Sequence, residues 1–136
     1  MSLVNCRLID LPELKDSRGS LSFVEAGRQV PFLIRRIYYL YGVPLGAVRG
    51  GHAHKELHQL MIAMHGSFEI LIDDGINKSV VALNNPARGL YICPMIWREL
   101  RGFSGDSVCV VLASEVYNED DYLRNYSDFL GVRKGG

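Results

Sequence analysis

The segment Arg49-Gly50-Gly51-His52-Ala53-His54-Lys55-Glu56-Leu57-His58-Gln59, with Gly66 beyond it, gathers the chain's most reactive side chains. Side chains on an extended strand alternate between faces, so His52 and His54 project from the same side. Two imidazoles on one wall can bind a metal ion together. They can also act as a base and its neighbour, since histidine's reference pKa of about 6.5 lets it take and return a proton near neutrality. A bare His-x-His is equally at home as a pair of solvent-facing or hydrogen-bonded structural histidines, so the surrounding residues must decide.

Arg18, Arg49 and Arg98 bear on that decision. Any one of them is by default a solvated surface charge. Together, beside turn and strand-end motifs, they suit the neutralisation of a diphosphate or an enolate oxygen. Tyr38 and Tyr39 are adjacent on a candidate strand and point to opposite faces, so only one of them should reach a cavity.

These residues need elements to position them. Candidate strands are Val4–Leu8, Ser20–Glu25, Ile34–Tyr41, Gln59–Met64, Ser67–Asp73, Lys78–Leu83, Gly89–Ile92 and Val108–Ala113. In Ser67–Asp73, Phe68, Ile70 and Ile72 share one face, and Leu71 on the other breaks a clean alternation, as expected where both faces are partly covered. Turn residues separate the runs at Arg18-Gly19, His65-Gly66, Asp73-Asp74-Gly75, Asn84-Asn85-Pro86 and Ser104-Gly105-Asp106. Glu119–Leu130 is the one helix candidate, with Tyr122, Tyr126 and Phe129 on a single stripe. Strands every ten or so residues predict an all-β sandwich or closed barrel with a short C-terminal helix. With no repeat or linker, residues 1–136 read as one domain.

The 136 residues are 48% hydrophobic and 22% charged, the balance of a globular protein. Fifteen Lys and Arg offset fifteen Asp and Glu, so no overall field draws the chain to nucleic acid or an anionic membrane. Cys6, Cys93 and Cys109 are too few and scattered for a disulfide framework or zinc knuckle, and read as reduced thiols. No apolar run approaches the roughly 18 residues of a membrane span, and Arg7, Asp10 and Glu13 interrupt any secretory core. A cytoplasmic location is expected.

The histidine pair, Gln59 five residues beyond it and Gly66 seven further on match the first cupin motif. Gly89-Leu-Tyr-Ile-Cys-Pro94, running on to Trp97-Arg98, partly matches the second. The resemblance implies a jelly-roll β-barrel with an open mouth and polar groups lining an apolar cavity. Metal-binding cupins supply three His and one Glu. Here Gln59 stands at the carboxylate position and Arg98 near the distal histidine position. A neutral amide is a poor ligand and an always-charged guanidinium is none, so a metal-free pocket is expected.

A longer set of segments narrows the family. Asp16-Ser-Arg-Gly-Ser-Leu21, Ile34-Arg-Arg-Ile-Tyr-Tyr39, Arg49-Gly-Gly-His-Ala-His-Lys55, Asp73-Asp-Gly75, Pro86-Ala-Arg-Gly-Leu-Tyr91, Pro94-Met-Ile-Trp-Arg-Glu99 and Val111-Leu-Ala-Ser-Glu-Val-Tyr117 with Asp121-Tyr122 closely resemble the dTDP-4-keto-6-deoxyglucose 3,4-ketoisomerases. The resemblance implies a homodimeric, cofactor-free isomerase of a dTDP-linked keto-deoxysugar. Such enzymes feed 3-amino-deoxysugars into bacterial surface glycans such as lipopolysaccharide and S-layer glycan. It places the catalytic histidine at His52, a second proton-handling group at Tyr38, and His54 and Arg49 in the same pocket, with Arg18, Arg98 and Gln59 toward substrate. In that family the C4 configuration of the product follows the residues at positions 18 and 98. Arg18 with Arg98 fits neither of its patterns, which leaves gluco and galacto products both open. Other readings of the same residues are a cupin dTDP-sugar epimerase acting at C3 or C5, a non-catalytic sugar-binding cupin, and a metal-dependent dioxygenase or isomerase.

Overall fold

A computed structural model describes residues 2–135. A 3₁₀ turn at Leu3–Asn5 leads into β1 (Arg7–Asp10), β2 (Glu13–Asp16), β3 (Gly19–Ser22), β4 (Arg36–Leu40), β5 (Arg49–His54) and β6 (Gln59–His65). Then follow β7 (Phe68–Asp73), β8 (Lys78–Leu83), β9 (Arg88–Ile92), β10 (Trp97–Arg101) and β11 (Val108–Ala113). A second 3₁₀ turn, Glu119–Asp121, precedes β12 (Tyr122–Leu123) and the helix α1 (Tyr126–Gly135). The first sheet runs β1-β9-β6-β11-β4, the second β12-β5-β10-β7-β8, and β2-β3 form a separate hairpin. All the strand pairings are antiparallel. This is the two-sheet β-barrel of the cupin class, with one short C-terminal helix.

The interior follows the period of two. Phe68, Ile70 and Ile72 of β7 are buried as their alternation predicts, and they meet Leu90, Ile92, Leu100 and Val111 in one core. Each such side chain withdrawn from water contributes about 1.5–3 kcal/mol. The buried acids at the β7–β8 turn are fully engaged. Asp73 accepts from Gly75 N (2.7 Å) and from the Tyr126 hydroxyl (2.6 Å). Asp74 accepts from Ile76 N, Asn77 N and Leu3 N at 2.8, 2.7 and 3.0 Å. That one turn therefore pins both the N-terminal segment and the helix to the second sheet.

Two expected elements are corrected. The first strand starts at Arg7 rather than Val4, because Leu3 N bonds Asp74 and the preceding residues close into a 3₁₀ turn that leaves Val4 89% exposed. The helix starts at Tyr126, not Glu119. Asn118 caps only a single 3₁₀ turn through Asp120 N, after which Tyr122 and Leu123 extend to pair with His54 and Ala53 of β5. Asn125 then accepts from Asp128 N (3.1 Å), the side-chain cap that opens α1. Tyr126 and Phe129 pack with Trp97 on the outer face of the second sheet, while Tyr122 belongs to the sheet itself. Strands β5, β10 and β12 complete the second sheet beyond the expected set, and β2 adds the first arm of the separate hairpin. Among the described residues, no helix is long and apolar enough to cross a membrane.

Candidate active site

The barrel mouth holds a cavity of ≈ 290 Å³ between the two sheets. From the first sheet come Arg36, Tyr38 and Leu40 of β4, Met61 of β6 and Val111 of β11. From the second come Arg49, Gly50 and His52 of β5, Arg98 and Leu100 of β10 and Tyr122 of β12, with Arg124 just beyond. Tyr38 faces in and Tyr39 is 59% exposed, as adjacent strand residues must be.

Strict alternation would send Arg49 and His52 to opposite faces. Both line the cavity because β5 carries a β-bulge where Gly50 and Gly51 face the Arg98–Glu99 step. Gly50 (φ 85°) and Gly51 (φ 73°) lie in the left-handed region that glycine adopts without penalty. A Cβ on Gly50 would also come within 3.0 Å of the Arg98 carbonyl oxygen. The Gly-Gly pair thus brings a guanidinium and an imidazole onto the same wall.

Arg98 is fully buried. Its Nε and Nη2 donate to the Ile96 carbonyl at 3.2 and 3.1 Å, and Nη1 donates to Gln59 Oε1. Gln59 passes the chain on, its Nε2 donating to the Tyr38 hydroxyl at 2.8 Å. Among the described residues no carboxylate pairs with Arg98, so a desolvated cation stands in the wall without a counter-ion. Arg36 packs over the Tyr38 ring with Cζ 5.2 Å from its centroid. Arg124 covers Tyr122 at 4.2 Å and is tied to Glu119. The mouth is strongly cationic and fitted to an anionic ligand.

Several buried polar atoms here lack a hydrogen-bond partner among the described residues: both ring nitrogens of His52, Nε2 of His54 and Nε of Arg36. A buried polar group left unpaired costs about 1–3 kcal/mol, so such a cluster marks a site built for a ligand. Burial, and next the nearby Arg98 cation, lower the His52 pKa to about 4. The ring is therefore neutral at pH 7 and free to accept a proton. Burial raises the Tyr38 hydroxyl above its ordinary pKa, which keeps it a proton donor.

His54 departs from its expected place. It shares the face of His52, and the rings meet edge to face with centroids 4.8 Å apart. It is nonetheless completely buried behind His52, with Nδ1 3.1 Å from Asp121 Oδ2, and it borders a neighbouring pocket with Asn118 and Asp121. Desolvation lowers its pKa further than that of His52. Arg18 departs more. It sits on the exposed β2–β3 hairpin, 2.6 Å from Asp16, and does not line the cavity of its own chain. Arg36, Tyr122 and Arg124 were missed as site residues. Arg36 carried a signal, being two residues from Tyr38 on the same strand face. His58 and His65 stand apart: His58 Nδ1 bonds the Tyr91 hydroxyl at 2.7 Å, and His65 is exposed.

Cupin barrel, neutral buried histidine, tyrosine and uncompensated arginines define a cupin-type protein with an anion-accepting acid–base pocket. Residues 4–134 match the family described as FdtA: WxcM-like, C-terminal. The chain is 42% identical over 123 residues to the TDP-4-oxo-6-deoxy-alpha-D-glucose-3,4-oxoisomerase of Aneurinibacillus thermoaerophilus, covering 90% of this chain and 88% of that one. The crystal structure of a 3,4-ketoisomerase from Helicobacter canadensis superposes with TM-score 0.93 at 43% identity, over 96% of this chain and 98% of that one. QdtA, a sugar 3,4-ketoisomerase from Thermoanaerobacterium thermosaccharolyticum solved with TDP, gives TM-score 0.95 at 40% identity over 98% of each chain. A histidine-to-asparagine variant of QdtA has been solved with TDP-4-keto-6-deoxyglucose, at TM-score 0.95 and 39% identity over 98% of this chain and 97% of that one. The chain belongs to the FdtA-like family.

Proposed function

We propose that this chain is a nucleotide-sugar 3,4-ketoisomerase that converts dTDP-4-keto-6-deoxyglucose into its 3-keto isomer. The observation that carries this reading is the pair of unpartnered His52 nitrogens in a cationic cavity. The hydrogen on C3 lies alpha to the C4 ketone and is acidified by it. Neutral His52 removes that proton, and the electron pair moves into a C3–C4 enediolate. Arg98 and Arg49 stabilise the oxyanion, and the Tyr38 hydroxyl, held by Gln59, serves as a second proton-handling group. Return of a proton to C4 leaves the ketone on C3. A positioned acid–base group contributes about 10²–10⁴ in rate, and preorganised donors to the enediolate add to it. His54 acts from behind His52, its tautomer set by Asp121.

No metal enters this scheme. Gln59 Oε1 is taken by Arg98, and a permanent guanidinium beside it opposes a divalent cation.

The active form is proposed to be a homodimer working in the cytoplasm. A mainly apolar groove of ≈ 470 Å³ runs along the outer face of the first sheet, lined by Phe23, Ile34, Ile37 and Met64 among others. Leu14 and Leu21 on the nearby hairpin are 64% and 56% exposed. An exposed apolar face of this kind suits a second copy of the chain. The hairpin also carries Arg18, whose contribution to substrate binding would then come through the assembly.

The test is replacement of the base. His52→Asn should keep the fold and bind dTDP while losing turnover by about 10²-fold or more. Tyr38→Phe should fall between it and wild type, and His58→Asn and His65→Asn should stay near wild type. If His52→Asn kept more than half of wild-type kcat with unchanged thermal stability, the base would be assigned wrongly.

A further inference from the structure

We propose that Cys6 and Cys93 form an oxidisable dithiol that closes to a disulfide and restrains the arm holding Arg98. The two sulfurs lie 3.8 Å apart although the residues are far apart in sequence. They meet just past the end of a strand pair. The β1–β9 ladder closes with Arg7 opposite Tyr91, and Cys6 precedes the one strand while Cys93 follows the other. Closing to a disulfide requires the gap between the sulfurs to shrink to a bond of about 2.0 Å.

The environment makes the two thiols unequal. Cys6 is half-buried, at the rim between the 3₁₀ turn and β1. The hydrogen bond from Cys93 lowers its pKa to about 7, against the opposing effect of burial. The same bond pushes Cys93, which is buried, well above the ordinary thiol range. Cys6 is thus the reachable thiolate and Cys93 the protonated resolving partner. Cys109 is buried in the core and raised to about 12 by desolvation, which makes it an internal control.

With hydrogen peroxide as oxidant the steps balance. The Cys6 thiolate attacks one peroxide oxygen, giving a sulfenic acid and releasing hydroxide. The Cys93 sulfur then attacks the Cys6 sulfur, forming the S–S bond and releasing the sulfenic oxygen as hydroxide, which takes up the Cys93 proton to give water. Sulfur is oxidised and peroxide oxygen reduced by the same two electrons.

Closure has a route to the site. Cys93 opens the connection from β9 to β10, where Met95 N donates to the His54 carbonyl at 2.7 Å and the Ile96 carbonyl accepts from Arg98. Met95 itself has φ 62°, a conformation in which a side-chain-bearing residue has little latitude. A bond anchoring Cys93 to the N-terminal segment therefore acts on the carbonyl that orients Arg98.

Reduced wild-type protein, desalted and treated with a small excess of hydrogen peroxide, provides the test. Denaturing thiol titration should fall from the three free cysteines to one. A peptide map should show Cys6 linked to Cys93 with Cys109 free, and turnover should drop several-fold and recover with dithiothreitol. Cys6→Ser should retain both remaining thiols and full activity under the same treatment. Retention of all three thiols, equal thiol loss in Cys6→Ser, or cross-links only between chains would overturn the dithiol, whatever the enzyme's substrate. Closure with unchanged turnover would overturn the coupling to Arg98. The activity arm rests on the ketoisomerase reading. The titration and map do not, so a failure of either idea is separately visible.

Discussion

Replacing Arg98 by methionine separates catalytic electrostatics from stability. The guanidinium is fully buried, holds Gln59 Oε1 and the Ile96 carbonyl, and has no carboxylate partner among the described residues. Exchanging a buried charge for an apolar side chain of similar volume is often neutral or stabilising by about 1–4 kcal/mol. Against that, the exchange deprives both Gln59 Oε1 and the Ile96 carbonyl of their donor, at about 1–3 kcal/mol for each buried acceptor left unpaired. These opposing effects are of similar size, so Tm should change by only a few degrees. Loss of a preorganised donor to the enediolate should cost about 10²–10³ in kcat, or about 2.7–4 kcal/mol. The Arg98 cation is also the second cause of the depressed His52 pKa, so the acid limb of kcat/KM should move to higher pH in the variant. Thermal unfolding, dTDP binding and a kcat/KM profile from pH 4 to 8 measure all three effects. An unmoved acid limb together with wild-type kcat would refute the electrostatic role. A coincident collapse of Tm and dTDP binding would show instead that Arg98 is structural.

Three further outcomes follow from the same geometry. The folded pKa of His52, about 4, lies below the ordinary 6.5, so the unfolded chain binds more protons between them. Its contribution is full above about pH 6.5 and lost as pH falls toward 4, worth up to about 3 kcal/mol. Urea unfolding at pH 7 and pH 4 should therefore show wild type losing more stability than His52→Asn, and parallel profiles would contradict the assignment. Treatment with EDTA should leave activity intact, whereas loss restored by Fe²⁺, Mn²⁺ or Zn²⁺ would overturn the metal-free site. Light scattering at micromolar concentration should give twice the chain mass of 15.2 kDa, and a monomer would remove the second copy from the apolar groove.

Most of the site was legible because period-two alternation is robust once a strand is recognised. The opposite facing of Tyr38 and Tyr39, the shared face of His52 and His54 and the Phe68–Ile72 core follow from it directly, whereas the choice of Tyr38 as the inward one came from the family resemblance. What alternation does not reveal is depth: His54 is on the right face yet sealed behind His52, because β12 pairs across it and delivers Asp121. The stripe of Tyr122, Tyr126 and Phe129 fits helical spacing, but Tyr122 pairs with His54 in a strand. Tertiary pairing overrides the local pattern there, and it hid Tyr122 and Arg124 from the site. Arg49 reached the cavity only through the β5 bulge, a feature that two adjacent glycines suggest but do not specify. Arg18 was grouped with Arg49 and Arg98 by residue type and by family pattern rather than by geometry, and on its own chain it stands apart.

The most direct measurement is proton and carbon NMR of dTDP-4-keto-6-deoxyglucose incubated with the protein in D₂O. Proton removal at C3 by His52 and reprotonation at C4 predict that the carbonyl resonance moves from C4 to C3, with solvent deuterium entering the sugar at the new C4 carbinol. A sugar that is bound but chemically unchanged and free of deuterium would contradict the account. So would one that keeps its C4 ketone while a neighbouring centre inverts.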